Sequence, residues 1–198
     1  GGQAQVRQAI AEVGVDEGNG RIPGYYREAG RTPVYDLMYD FDRLPADGWV
    51  GSVAPVLTFD SWGPVGGVPA TAINLAMSAP NILAWEHDGT HYRRYQSGIQ
   101  SLDAAGAAIT ADTVVVAFVE QIDTGRFDSA GGAVPDFVVT GTGEAVVFRN
   151  GRAFTGSWQR AGTDEFFRFF RPDGREITMD RGRTWIHVTP ETGSLDWR

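Results

Sequence analysis

Between residues 136 and 190 the sequence repeats one pattern: a short segment rich in valine, phenylalanine, threonine and tryptophan, then a glycine-bearing reversal. The segments fall at 136–141, 143–151, 152–160, 165–174, 175–179 and 183–190. Three of the reversals read Gly141-Thr142-Gly143, Asn150-Gly151 and Pro172-Asp173-Gly174. Glycine takes the positive φ that tight turns require, and β-branched and aromatic residues suit a pleated, half-buried surface. The pattern predicts an antiparallel meander. Upstream, 81–98 reads as strand, Asp88-Gly89 turn, strand. Residues 112–122 form a nearly unbroken apolar run, expected to be a strand buried on both faces.

The first 50 residues differ. Val6, Ile10 and Val13 mark one helical stripe, and Val34, Leu37, Met38, Phe41 and Leu44 a second between Pro33 and Pro45. The segment between them, 15–33, is dense in breakers and reads as loop. The expected fold class is therefore α+β: a mostly antiparallel β-sheet body with a few helices from the N-terminal part.

Gly141-Thr142-Gly143 raises the question of a phosphate loop. A dinucleotide loop needs a third glycine and a following helix. Here Glu144, Ala145 and Val146 follow, and Glu144 sets negative charge where phosphate would sit. The expectation is a hairpin turn. His87 and His91 flank Asp88-Gly89 like a ligand pair. A two-residue turn would pair His87 with Thr90 and Glu86 with His91, sending the two imidazoles to opposite faces. No metal site is expected there, and His187 reads as a half-buried strand residue.

Charge and composition close other routes. The net charge of -8 disfavours nucleic acid as a partner, because phosphate contacts need a basic face. There is no cysteine, so thiol nucleophiles and zinc thiolates are excluded. All 17 basic residues are arginine, which excludes lysine Schiff-base and P-loop chemistry. No nucleophile elbow occurs, so no catalytic residue and no cofactor is assigned. Two aromatic–arginine pairs stand out by period-two spacing: Tyr92 with Arg94, and Trp158 with Arg160. Such pairs can stack on a sugar or peptide, or can simply be core ring and rim charge. They are the candidate binding residues.

Several stretches carry a family resemblance. Residues 84–98, 111–119, 139–160 and 171–190 hold, in order, an Asp-Gly strand pair ending in Tyr92-Arg93-Arg94, a triple-valine strand, a Gly-x-Gly segment with Gly156-Ser157-Trp158, and a closing Asp-Gly then Gly182-Arg183-Thr184-Trp185-Ile186 strand. This resembles the YerB-like bacterial lipoproteins, a family of unknown function, over about residues 70–190. The resemblance implies that residues 1–50 are the helical end of an N-terminal domain and 51–198 a strand-rich C-terminal domain. Where the family has asparagine before its valine run, this chain has Thr113, and the family's Pro-His-Asn-Leu motif reads Pro33-Val34-Tyr35-Asp36-Leu37. The resemblance further implies a lipoprotein on the extracellular face of the cytoplasmic membrane of a Gram-positive bacterium. Its membrane contact would run only through a lipid anchor missing from this chain, which opens at Gly1-Gly2 and reads as a piece.

The leading expectation is a non-catalytic envelope module whose partner is a cell-wall polymer or an envelope protein. The alternative is a cell-wall hydrolase in which folding would bring together carboxylates such as Asp60, Asp103 and Glu144.

Overall fold

The computed structural model describes residues 25–30, 37–40, 57–60, 66–78, 81–127, 131–163 and 165–198. The chain forms two compact units: Gly1–Val53 with Thr124–Val134, and Ala54–Asp123 with Pro135–Arg198.

In the first unit, β1 (Tyr25–Arg27) pairs antiparallel with β2 (Leu37–Tyr39). Among the described residues there is no helix, so they are all-β, and the α+β expectation is corrected. The stripe expected as a helix over 34–44 supplies β2 instead, and part of the stretch expected as loop supplies β1. Short apolar runs are ambiguous between the two periods, and this one is shorter than the ~12–15 residues an isolated helix needs. A partner strand therefore decides its state. The stripe at Val6, Ile10 and Val13 lies outside the described residues, as do Val34, Phe41 and Leu44.

The second unit is built on two sheets. Its strands begin with β3 (Phe59–Asp60), β4 (Val68–Pro69), β5 (Ala72–Ser78), β6 (Asn81–His87), β7 (Tyr92–Gln96), β8 (Ile99–Gln100) and β9 (Thr110–Ala111). They continue with β10 (Thr113–Val119), β11 (Gln121–Ile122), β12 (Asp136–Phe137), β13 (Gly141–Arg149) and β14 (Arg152–Arg160). The last four are β15 (Arg168–Phe170), β16 (Met179–Asp180), β17 (Thr184–Pro190) and β18 (Ser194–Trp197). The first sheet runs β15-β14-β13-β10-β17, with β4 also on β14. The second runs β18-β5-β6-β7-β8, with β9 also on β7. Most pairings are antiparallel, but β17 lies parallel to β10, and β16 parallel to β3. The meander is thus broken where the chain crosses over to bring β17 back beside β10.

Alternation along the strands divides the core in two. Val114, Val116, Val146, Phe148 and Ala153 face the second sheet and meet Ile73, Leu75, Leu83, Trp85 and Tyr92. Val115, Ala117, Val147, Phe154 and Trp158 point the other way, under Phe167, Phe169, Ile177 and Met179. Strand β10 is therefore covered on both faces, as its unbroken apolar run predicts, with Val114, Val115, Val116 and Ala117 all 0% exposed. Each fully buried valine contributes about 1.5–3 kcal/mol relative to an exposed one.

Two of the three turn expectations hold. Asn150 (φ 50) and Gly151 (φ 67) reverse the chain between β13 and β14. Arg171 and Arg175 close the Pro172-Asp173-Gly174 turn through a backbone bond of 2.8 Å. Gly141-Thr142-Gly143 is instead part of β13, with Gly141 paired to Arg160 and Gly143 to Trp158. The reason for Gly143 is space: a Cβ there would lie 2.5 Å from Trp158 Nε1 and 2.7 Å from the Phe118 carbonyl oxygen. The indole crosses the missing side chain and donates to that carbonyl at 2.6 Å.

Candidate functional site

The four residues singled out by spacing go to two sheets. Tyr92 is 0% exposed on β7, donates its hydroxyl to the Ala70 carbonyl at 3.2 Å, and has its pKa pushed well up by burial. Trp158 is 2% exposed and packs edge-on to Phe167. Both rings are core, with their polar atoms already satisfied. Arg94 is half-buried: it donates to Ser101 Oγ at 2.6 Å and Gln96 Oε1 at 2.7 Å, and its guanidinium lies 5.3 Å from the Trp185 ring centroid. Arg160 donates to the carbonyls of Thr163 and Glu165, both at 2.7 Å, and of Val139 at 3.3 Å, which ties down the loop after β14. The structure does not bring these pairs into one surface.

The histidine hairpin has a four-residue loop, 88–91, two residues longer on its C-terminal side than a two-residue turn would give, because His87 pairs with Tyr92 and Glu86 with Arg93. Asp88 causes this. Its Oδ1 accepts from the amides of Thr90 at 3.0 Å and His91 at 2.9 Å, which closes the loop and holds the carboxyl far below the usual range. His91 Nδ1 then meets Asp112 Oδ1 at 2.9 Å, while the His87 ring packs at a tilt against Tyr92. Among the described residues no three histidine, aspartate or glutamate side chains converge on one point. His187 is buried rather than half-buried. It accepts from Trp85 Nε1 at 2.9 Å, and burial, helped by Arg94, lowers its pKa to about 4.

Near the Asn150-Gly151 turn sits a buried guanidinium. Arg149, 1% exposed, donates to the Thr178 carbonyl at 2.6 Å and to Asp60 Oδ1 at 2.8 Å, and is also bonded to Asp180. The backbone amide of Asp180 donates to Thr113 Oγ1 at 3.0 Å. These bonds clip β3 and β16 to the end of the first sheet. This is a structural clasp that consumes Asp60.

The open recess lies elsewhere. Where edge strand β18 meets the exposed end of β13 and β14, the two sheets leave a groove of about 470 Å³. Phe118, Val146, Leu195 and Trp197 give it an apolar wall, and Glu144, Thr155 and Ser157 its polar groups. Glu144 is paired directly with Ser157 across β13 and β14, so carboxylate and hydroxyl stand side by side. Among the described residues, none of these three side chains has a hydrogen-bond partner. Glu144 is the one charged side chain of the lining. It stands five residues along β13 from Arg149, roughly 17 Å at strand rise, so it is remote from Asp60. Asp103 lines a different cavity. The three carboxylates considered for hydrolysis thus occupy three places.

Residues 73–186 match the family described as "Protein of unknown function (DUF3048) C-terminal domain". The chain belongs to this family. No curated protein matches it. A solved structure, the YerB protein from Bacillus subtilis, is similar at a TM-score of 0.73 and 14% identity, covering 96% of this chain and 66% of that one. The chain therefore spans just under two thirds of the length of that protein, and the likeness speaks for the fold. The DUF3048 match takes in Arg149, Thr178 and Asp180 of the clasp and the β13–β14 side of the groove, while Asp60 lies before it and Leu195 and Trp197 beyond it. At Thr113, where the YerB-like resemblance has asparagine, the hydroxyl accepts from the Asp180 amide. Sequence reasoning singled out Glu144 only as a carboxylate and passed over Thr155 and Ser157. Their signal is period two: Glu144 continues the face of Val146 and Phe148, where an apolar residue would be expected.

Proposed function

We propose that this DUF3048 domain is a non-catalytic binding module of the cell envelope, and that the groove beside β18 holds a segment of wall glycan. The observation that carries the reading is the groove's chemistry. Ring surface from Phe118 and Trp197 and aliphatic surface from Val146 and Leu195 lie beside three polar side chains, Glu144, Thr155 and Ser157, that have no hydrogen-bond partner among the described residues. A sugar ring has an apolar face to stack and hydroxyls to share with a carboxylate and two side-chain hydroxyls. The volume lies within the range of small-ligand sites. A lone carboxylate favours a neutral or cationic ligand over a phosphate polymer. Envelope location follows from the YerB-like resemblance, and it is part of the proposal.

The test is an amide-resolved titration with soluble wall-glycan oligosaccharides. The amides of Glu144, Thr155, Ser157 and Trp197 should shift together and saturate. Shifts confined to other surfaces, or none, would refute the assignment.

A further inference from the structure

A second cavity, of about 250 Å³, lies at the other side of the sandwich. It is closed by the loop that follows β8, by β9, and by the start of β17. Asp103, Thr110, Arg183 and Trp185 supply its chemistry. Asp103 is fixed from its own loop: Oδ1 accepts from the amides of Ala105 and Ala107, both at 2.9 Å. Its other oxygen has no partner among the described residues. Arg183 is held across the chain: one terminal nitrogen of its guanidinium bonds Thr110 Oγ1, and its backbone amide donates to Asp112 Oδ2 at 2.6 Å. The rest of its fork is unengaged among the described residues. Trp185 is half-buried and lines the same cavity, with Arg94 against its ring.

The decisive feature is that Asp103 and Arg183 line one small cavity and form no ion pair with each other. Each is held by neighbours so that one oxygen and one edge of the guanidinium face unmatched. A cavity lined by a negative group and a positive group that are not paired with each other, and by an indole, is complementary to a molecule carrying both charges a short distance apart. Its volume falls below the usual range for drug-sized ligands, so the ligand is small or only its end enters.

We propose that this cavity binds an α-amino-acid head group. The ammonium lies on the free oxygen of Asp103, the carboxylate takes the open edge of the Arg183 fork, and the adjoining carbon rests on Trp185. Such a head group occurs in a free amino acid, or at the side-chain end of a larger peptide.

The test is calorimetric titration of the full chain with leucine and alanine up to about 10 mM, well above the ~1 mM constant of a weak complex. The N-acetylated and the amidated forms of each serve as controls. Saturable binding is expected, weakened about tenfold or more by blocking either end, and likewise by Asp103→Asn or Arg183→Gln. Thermal melting checks that both variants remain folded. Glu144→Gln should leave the binding unchanged, which separates this site from the glycan groove. A peptide with blocked termini and a side chain ending in a free α-amino-acid head distinguishes the sources. Tighter binding than alanine would assign a polymer-borne head, and weaker binding a free amino acid. If neither amino acid nor peptide binds, or if the blocked forms or the folded variants bind as well, the proposal is overturned.

Discussion

Replacing Arg149 by methionine keeps most of the side-chain volume but removes the guanidinium that Asp60 and Asp180 share. Breaking a buried pair by removing one partner costs about 3–5 kcal/mol, since the other charge stays buried. The two partners do not contribute equally. The side chain of Asp60 is 36% exposed and water can replace the guanidinium, whereas that of Asp180 is 16% exposed. The lower end, about 3 kcal/mol, is therefore expected, equivalent to roughly 6–12 °C in Tm for a chain of this size. The pH dependence gives a sharper test. Burial already raises the folded-state pKa of Asp180, against the attraction of Arg149. A raised carboxylate contributes stability at low pH that is lost as pH rises through its folded-state value. Without Arg149 that value rises further, so the deficit of Arg149→Met should be largest at neutral pH and narrow in acid. Urea unfolding of the wild type, Arg149→Met, Asp180→Asn and the double variant between pH 4 and 7 measures this. The double variant should recover more than about 1.5 kcal/mol of the single loss, a coupling expected of residues in one network. A loss below about 1 kcal/mol, or one independent of pH and of Asp180, would refute the clasp.

Three further outcomes are expected. Gly143→Ala should lower stability by about 1–3 kcal/mol, because its Cβ meets Trp158 and the Phe118 carbonyl, and the loss should appear in the tryptophan near-UV signal. His187→Gln keeps an acceptor for Trp85 but cannot titrate. A folded-state pKa of about 4 against 6.5 makes the wild type lose up to roughly 3 kcal/mol as pH falls from 6.5 through 4, a slope the variant should lack in pH-dependent melts. Gly151→Ala places a side chain at φ 67, with its Cβ 3.3 Å from His87 Nδ1, and should cost about 1 kcal/mol or more by urea unfolding.

The legible parts of the fold are those fixed by local chemistry. The valine run of β10 and the Asn150-Gly151 and Pro172-Asp173-Gly174 reversals need only their own residues to declare themselves. The illegible parts depend on distant partners. Gly143 is glycine because of Trp158 on the next strand. Leu37–Tyr39 is a strand because Tyr25–Arg27 pairs with it. Tyr92 and Trp158 share a face with an arginine as the spacing predicts, but a period-two pattern does not say which face is inside. Arg149 meets Asp60 across 89 residues of sequence, and no local pattern marks that contact. The groove escaped for the same reason: Glu144 and Ser157 become neighbours only through the register of β13 and β14.

The groove beside β18 is proposed to bind wall glycan without cleaving it. Its most direct test is co-sedimentation with insoluble peptidoglycan, comparing the wild type with Glu144→Arg and analysing the supernatant for released fragments. The wild type should sediment, the folded Glu144→Arg variant should stay in solution, and no fragments should appear. A wild type that stays in solution, or sediments no better than the variant, would contradict the groove, and released muropeptides would put a hydrolase in place of a binding module.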